Sequence, residues 1–476
     1  MVRRARASRV ASAAGAFLVA AIALALVIGL RAGAPSGLQR CTIGTRPAEC
    51  ERFAVPENPG DPGGRKIELN VAVLRATGGH AKPDPLFWFA GWGGAGVTDD
   101  AANVISALGG VNIDRDLVFV DQRGTGSSKL DCPRLPSEGP NVSGVAVTAA
   151  ARQCAERLGS NLRHYTSAVA VDDFDRVRQA LGYDKINIYG GSYGVTTGLI
   201  YLLRHGSHVR TAVFDSGSLL DVRIFESAAQ NAQRALGLLF ARCAADTACH
   251  TAYPKLRREF AAVQARLAKS PIGVPGAPVP LSSEAFAGAV EELLTTPAGK
   301  AILPRLIHLI ATGQIARAAA LVAPYRTTGH SPLAYQLLIQ CSEPWASWRR
   351  AVVSRRARGT FMQAKLELDA RFAAAVCRGF PKAPVPAAIG RRVHSRVPVL
   401  FLTGNEDPAD PPASVAHARR ELPRSRTVIF PASGHGQLGY LCSQNLIADF
   451  IARGTAAGLN SSCARTAVQQ PFDFSG

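Results

Sequence analysis

Ile186-Asn187-Ile188-Tyr189 reads as a buried strand, and Gly190-Gly191-Ser192-Tyr193-Gly194 turns it sharply into an apolar helix from Val195 to Arg204. Few local features restrict a fold as tightly. A serine between strand and helix sits at a strained backbone position, and glycines two residues to either side let the two elements pass closely. The helix that follows directs its N-terminal amides and positive dipole end at the serine oxygen. Five residues of G-x-S-x-G also occur by chance in glycine-rich loops. Here the β-rich stretch before and the apolar helix after favour the nucleophile reading. Ser192 in that role requires an acid and then a histidine further along the chain.

The rest of the text supplies the frame for such a turn. At 476 residues the chain is long for one simple domain, so a core with a large insertion is expected. Glu51 to Val55 and Lys66 to Arg75 read as an edge hairpin, split by a Pro/Gly/Asn/Asp-rich turn. Short apolar strand-like runs follow at Leu86–Ala90, Leu117–Val120, Lys185–Tyr189 and Thr211–Phe214, separated by helical patterns such as Ala168–Leu181. Strand alternating with helix predicts an α/β class with a mostly parallel sheet. From 221 to 385 the pattern turns helical, clearest at Phe225–Cys243, Ala252–Leu267, Ser283–Leu294 and Ile302–Ile310. Strand text resumes at Val397–Leu402 and Arg426–Phe430. The expected organisation is a leader over 1–34, a core over 35–220, a helical lid over 221–385 and the rest of the core over 386–476. A lid inserted there would cover the strands' C-terminal edge, where such sheets bind ligands.

The acid should follow a late strand. Pro398 to Gly404 leads into Asn405-Glu406-Asp407-Pro408-Ala409-Asp410-Pro411, where three carboxylates compete. Asp407 is the choice, three residues past Gly404 and fixed in direction by Pro408; helix N-capping ahead of Pro411 and Pro412 is the other use for Asp407 and Asp410. The base should follow the last strand, and His435 sits between Gly434 and Gly436 in that loop. Ser192, Asp407, His435 is the chain order of an α/β-hydrolase triad. The oxyanion donors expected with it are the amide of Tyr193 and one from Gly91-Trp92-Gly93-Gly94-Ala95-Gly96, for which Trp92 is nominated. A phosphate cradle in that loop would want the lysine and hydroxyl of a P-loop, which are missing. The chemistry requires no cofactor and no metal.

Arg3, Arg4, Arg6 and Arg9 precede an uncharged apolar run from Val10 to Leu30, which reads as a signal peptide or an N-terminal membrane anchor. Both choices stay open, and both place the protein outside the cytoplasm. The ten cysteines fall in neighbouring pairs, Cys41/Cys50, Cys132/Cys154, Cys243/Cys249, Cys341/Cys377 and Cys442/Cys463, as disulfides in an oxidising compartment would. Sequence does not fix their connectivity. Metal binding is the competing use, but there is no C-x-x-C and the histidines do not cluster with the cysteines. A net charge of +19 invites a nucleic-acid reading, yet the arginines are scattered and no reader motif accompanies them. Nine lysines against 45 arginines look like codon bias on a solvated basic surface. No nucleic-acid partner is expected, and oligomeric state is not legible.

Asp121-Gln122-Arg123-Gly124-Thr125-Gly126-Ser127-Ser128, Leu130-Asp131-Cys132-Pro133 and the Gly190–Gly194 elbow together resemble the proline iminopeptidase and tripeptidyl-aminopeptidase group of α/β-hydrolases. The likeness runs in order from about Cys41 to Cys463, with a TAP-like C-terminal segment from roughly Cys377. It implies an exported serine exopeptidase acting on free peptide N-termini. It also implies an acidic group for the substrate's α-ammonium. Glu343, in Cys341-Ser342-Glu343-Pro344-Trp345, is the candidate, with capping of a helix near Pro344 as its other reading. Asp121 and Arg123 are expected to hold the loop beside the site. Where relatives read G-G-P-G in the oxyanion loop, this chain has Trp92 next to the reacting carbonyl. An esterase or other acyl hydrolase on the same triad, or a non-catalytic envelope binding protein, are the alternatives.

Overall fold

The structure is a computed structural model that describes residues 37–91, 96, 101–132, 143–277, 279–325, 333–466 and 470–474. The leader and Trp92 lie outside the described residues. Among the described residues no helix is long and apolar enough to cross a membrane.

Among the described residues nine strands form one sheet: β1 (Gln39–Ile43), β2 (Arg46–Pro56), β3 (Lys66–Leu74), β4 (Leu86–Phe89), β5 (Leu117–Val120), β6 (Ile186–Gly191), β7 (Val209–Asp215), β8 (Val399–Gly404) and β9 (Ser425–Phe430). Their order is β1-β2-β3-β5-β4-β6-β7-β8-β9. The three N-terminal strands are antiparallel, and from β5 onward every pair is parallel. Strand β1, absent from the sequence reading, is a short and mostly exposed edge with little apolar alternation to announce it.

Period-two alternation sorts the strands' side chains between two cores. Phe87, Phe89, Ile186 and Ile188 pack with the helices Ser167–Ala180 and Tyr193–His205. On the other face Leu86, Leu117 and Phe119 pack with the helix Leu441–Arg453. Between β7 and β8 the described chain is helical from Ile224 to Gly379, with its own core of Ala, Leu and Phe side chains. The single helix expected over 252–267 is two, Thr247–Ala252 and Leu256–Lys269. Pro254 disfavours a helical conformation at Tyr253 before it, and Tyr253 leaves the helix with φ −132° and ψ 61°. The helix expected from Ile302 begins earlier, at Pro297, where Thr296 accepts the Gly299 amide and proline takes the first helical position.

Five disulfides join Cys41–Cys50, Cys132–Cys154, Cys243–Cys249, Cys341–Cys377 and Cys442–Cys463, each between sequence neighbours. Arg123 is fully buried. It donates to both oxygens of Asp173 at 2.7 and 2.9 Å, and to the carbonyls of Glu57, His164 and Pro56. Asp121 accepts from Asn70 at 2.7 Å. These contacts fix the loop after β5 against the sheet's edge.

Candidate active site

The site sits where β4 and β6 lie side by side, with Phe89 paired to Gly190, so the loops leaving both strands open at one sheet edge. Ser192 holds φ 54° and ψ −120°, a strained conformation for a residue with a Cβ. The two flanking glycines make it reachable. A Cβ on Gly190 would lie 2.3 Å from the Gly194 carbonyl oxygen, and one on Gly194 would lie 2.1 Å from that of Phe89. Ser192 caps the helix Tyr193–His205, and Tyr193 is its first residue, at the positive end. A Cβ on Gly91 would stand 3.5 Å from that of Ser192, so the loop after β4 runs directly beside the serine.

The acid and base meet as a pair. His435 Nδ1 lies 2.9 Å from Asp407 Oδ2. Asp407 is fully buried, and its Oδ1 accepts the amides of Ala409 and Asp410 at 2.8 and 2.9 Å. Burial pushes the Asp407 carboxyl up, but the His435 charge and hydrogen bond and those two amides outweigh it and hold it below the usual aspartate range. Burial likewise pulls the imidazole down, and the Asp407 charge and hydrogen bond outweigh it, raising His435 to about 9. Nδ1 faces the acid, which leaves Nε2 for the serine side.

The loops carrying Ser192 and His435 share an anchor. The Ser192 amide donates to the Asp215 carbonyl at 2.8 Å, Gly436 N donates to Ser216 Oγ at 2.9 Å, and Gln437 N donates to the Asp215 carboxylate. Among the described contacts no hydrogen bond joins Ser192 Oγ to His435, whose ring is held by Asp407. Such a contact is commonly loose before substrate binds and tightens in the complex.

The helical segment between β7 and β8 is fastened to the same loops. His435 N donates to the Thr295 carbonyl at 2.7 Å. Lys300, fully buried on the helix Pro297–Ala311, donates to Glu406 Oε2 at 3.0 Å and to the Ala432 carbonyl. Behind the elbow, the Tyr193 hydroxyl accepts from Gln122 Nε2 at 2.8 Å and meets the hydroxyls of Ser167 and Tyr335. None of these partners carries a local sequence signal, because each contact spans dozens to hundreds of residues.

Two expectations need correction. Glu343 is not among the residues that line the cavity at Ser192, and it does not cap the turn near Pro344 but takes the first amide of the helix Ser167–Ala180. It is fully buried, with Oε1 accepting the Ser167 amide at 2.7 Å and Oε2 accepting Trp345 Nε1 at 2.6 Å, and it makes no capping bond to the turn Pro344–Ala346. It orients Trp345, whose ring packs 5.6 Å from that of Tyr193. Asp410 is not a cap either. The short helix Pro412–Val415 begins after Pro411 without a side-chain cap, and the Asp410 carboxylate takes the Ser218 hydroxyl instead. Trp92, the nominated second oxyanion donor, lies outside the described residues.

A cavity of about 190 Å³ opens at Ser192, walled by Tyr193, Thr196, Ser218, Phe225, Trp345 and Asp410. Ile224, Phe225, Ala409 and Asp410 also line a second cavity of about 350 Å³, which extends to Glu291, Gln340 and Asp369. The serine lies in the smaller of the two.

Residues 90–288 match the alpha/beta hydrolase fold profile, and residues 365–463 match that of the TAP-like proteins. The tripeptidyl aminopeptidase of Streptomyces coelicolor is 30% identical over 190 residues, 36% of this chain and 35% of that protein. Serine protease Hip1 of Mycobacterium tuberculosis is 32% identical over 187 residues, 35% of each. The chain thus spans about a third of the length of the curated relatives it matches. Among solved structures, the proline iminopeptidase of Mycobacterium smegmatis aligns over 85% of this chain and 98% of its own at 16% identity and a TM-score of 0.36. With this sheet order, this elbow and these two matched stretches, the chain belongs to the alpha/beta hydrolases and carries their TAP-like segment.

Proposed function

We propose that this chain is an exported serine hydrolase that cleaves peptides near a free N-terminus. The observation that carries the reading is the strained Ser192 on its elbow, with the Asp407–His435 pair fastened to the same sheet edge at the mouth of a cleft. The five disulfides support an oxidising compartment. The names of the matched relatives support a peptide substrate.

In the reaction, His435 Nε2 takes the Ser192 proton as Oγ bonds to the scissile carbonyl carbon. The oxyanion forms at the positive end of the Tyr193–His205 helix, with the Tyr193 amide as donor. The C–N bond then breaks, and the amine leaves with the proton returned by His435. Water, deprotonated by the same imidazole, attacks the acyl-enzyme and restores Ser192. Asp407 fixes the imidazole's tautomer and stabilises its cation throughout.

The test compares aminoacyl- and tripeptidyl-arylamides with their N-acetylated forms and with a short acyl ester. Turnover of free-amine arylamides, lost on acetylation, is expected. Ester cleavage without arylamide turnover would instead identify an esterase.

The raised imidazole gives a pH signature. His435 must be neutral to act as a base, and its pKa stands at about 9. For a neutral ester, kcat/KM should therefore climb with pH, about tenfold per unit, until it levels near that value. A free-amine substrate adds a falling limb near pH 8, where its ammonium loses the proton. A flat ester profile from pH 6 to 9 would show that the His435 imidazole is not raised in this way.

A further inference from the structure

We propose that Asp215 is a positioning residue for the reaction: it locks the His435 loop to the serine elbow and presents a second negative charge to the imidazole. This rests on the hydrolase reading above and gives a role to a carboxylate outside the triad. Asp215 ends β7, which lies between β6 and β8, the strands that lead to Ser192 and Asp407. Its backbone carbonyl accepts the Ser192 amide at 2.8 Å, so its main chain fixes the nucleophile's turn. Its carboxylate accepts the Gln437 amide with both oxygens, at 2.9 and 2.8 Å, two residues past the base. One residue therefore spans nucleophile and base. The next residue repeats the tie. Ser216 donates its hydroxyl to Asp215 Oδ1 at 3.0 Å and accepts the Gly436 amide at 2.9 Å. Gln437, with no exposed surface, donates its side-chain amide to that hydroxyl oxygen and to the Gly434 carbonyl. His435 is thus held from both flanking glycines.

Electrostatics give the same carboxylate a second task. Asp215 is fully buried, and its donors, the Tyr189 and Ser216 hydroxyls and the Gln437 amide, are all neutral. Its two oxygens accept four contacts from those groups, which suits the ionised form. A buried carboxylate served by neutral donors favours any cation that forms beside it. That cation is the imidazolium, present each time His435 holds the Ser192 proton. Burial pushes the Asp215 carboxyl up, and its donors and the His435 charge offset part of that rise. On the imidazole, burial acts downward, whereas Asp407, Asp410 and Asp215 act upward. The nearby cations Lys300 and Arg242 are paired with Glu406, beyond the Asp407 loop.

The experiment follows ester kcat and KM against pH in the wild type, Asp215→Asn and Ser216→Ala, with urea midpoints to report the fold. Asparagine removes the charge, yet it can accept the Gln437 amide and donate its own NH2 to the Tyr189 hydroxyl. Asp215→Asn should lower kcat about ten- to a hundredfold with little change in KM. It should also move the rising limb of the profile down by about half a pH unit, because the imidazolium loses a stabilising charge. Ser216→Ala cuts the Gly436 tether and keeps the charge, so kcat should fall about tenfold while the limb stays in place. The His435 ring is also titrated by NMR in Ser192→Ala, with and without Asp215→Asn, its signal assigned by its loss in His435→Gln. There too the titration should move down by about half a unit. A limb and a ring titration that both stay put in folded Asp215→Asn overturn the proposal, since a merely structural carboxylate alters only stability and rate. Where Asp215→Asn does not fold, Ser216→Ala decides, and an unaltered kcat overturns the proposal. A ring titration that moves in a chain with no ester or arylamide turnover keeps the Asp215 contact and sinks the hydrolase reading.

Discussion

Replacing Ser192 by alanine should lower kcat/KM for the best arylamide by about 10⁴- to 10⁶-fold and abolish labelling by a fluorophosphonate. The size follows from the role. Without Oγ no acyl-enzyme forms, and only the orienting cleft and the helix-end dipole remain to assist water. The fold should be untouched, because alanine occupies the same backbone conformation and the cavity beside it is already open. Ser192→Gly separates chemistry from strain. At φ 54° any residue with a Cβ is strained, by about 1–3 kcal/mol, and glycine relieves that strain. The glycine variant should be as inactive as the alanine variant but no less stable, in urea titrations of both. Persistent labelling in Ser192→Ala would show that another hydroxyl is the nucleophile.

The elbow, the acid and the base were readable because each follows a strand whose hydrophobic run announces it. Ile186 to Tyr189, Val399 to Leu402 and Val428 to Phe430 mark where the chain must turn, and the reactive residue sits just past each turn. The choice of Asp407 over its neighbours rested on Pro408 and on spacing from Gly404. Its geometry with His435 follows from those restraints. What the sequence hid is everything that depends on distant partners. Glu343 has the right residue type beside a cysteine to suggest a substrate anchor, but only the fold reveals that Ser167 and Trp345 occupy both its oxygens. Asp410 reads locally as a cap, because nothing near it hints at Ser218, 192 residues away. Local patterning therefore singled out Ser192, Asp407 and His435 as candidates, whereas the walls of the cavity beside Ser192 emerge from tertiary packing.

Lys300 should be the position outside the triad where one substitution costs most. Its ammonium is buried between two loops: the one bearing Glu406, next to Asp407, and the one bearing Ala432, three residues before His435. Burial pulls its pKa below the ordinary lysine value, and the Glu406 charge and hydrogen bond work against that pull. Lys300→Met removes a buried counter-charge and a donor at once. Stability should fall by about 3 kcal/mol, at the low end for a broken buried pair, because Arg242 remains 3.4 Å from Glu406. Stability is read from chemical denaturation and activity from ester turnover. Adding Glu406→Gln to Lys300→Met should recover only part of the stability, since it removes the buried carboxylate but takes from Arg242 its ion-pair partner. It should not recover the rate, because the acid and base loops have still lost the side chain that ties both to the helix Pro297–Ala311. Full recovery of both would reduce Lys300 to a packing residue. Recovery of stability without rate makes that helix part of how Asp407 and His435 are held in register.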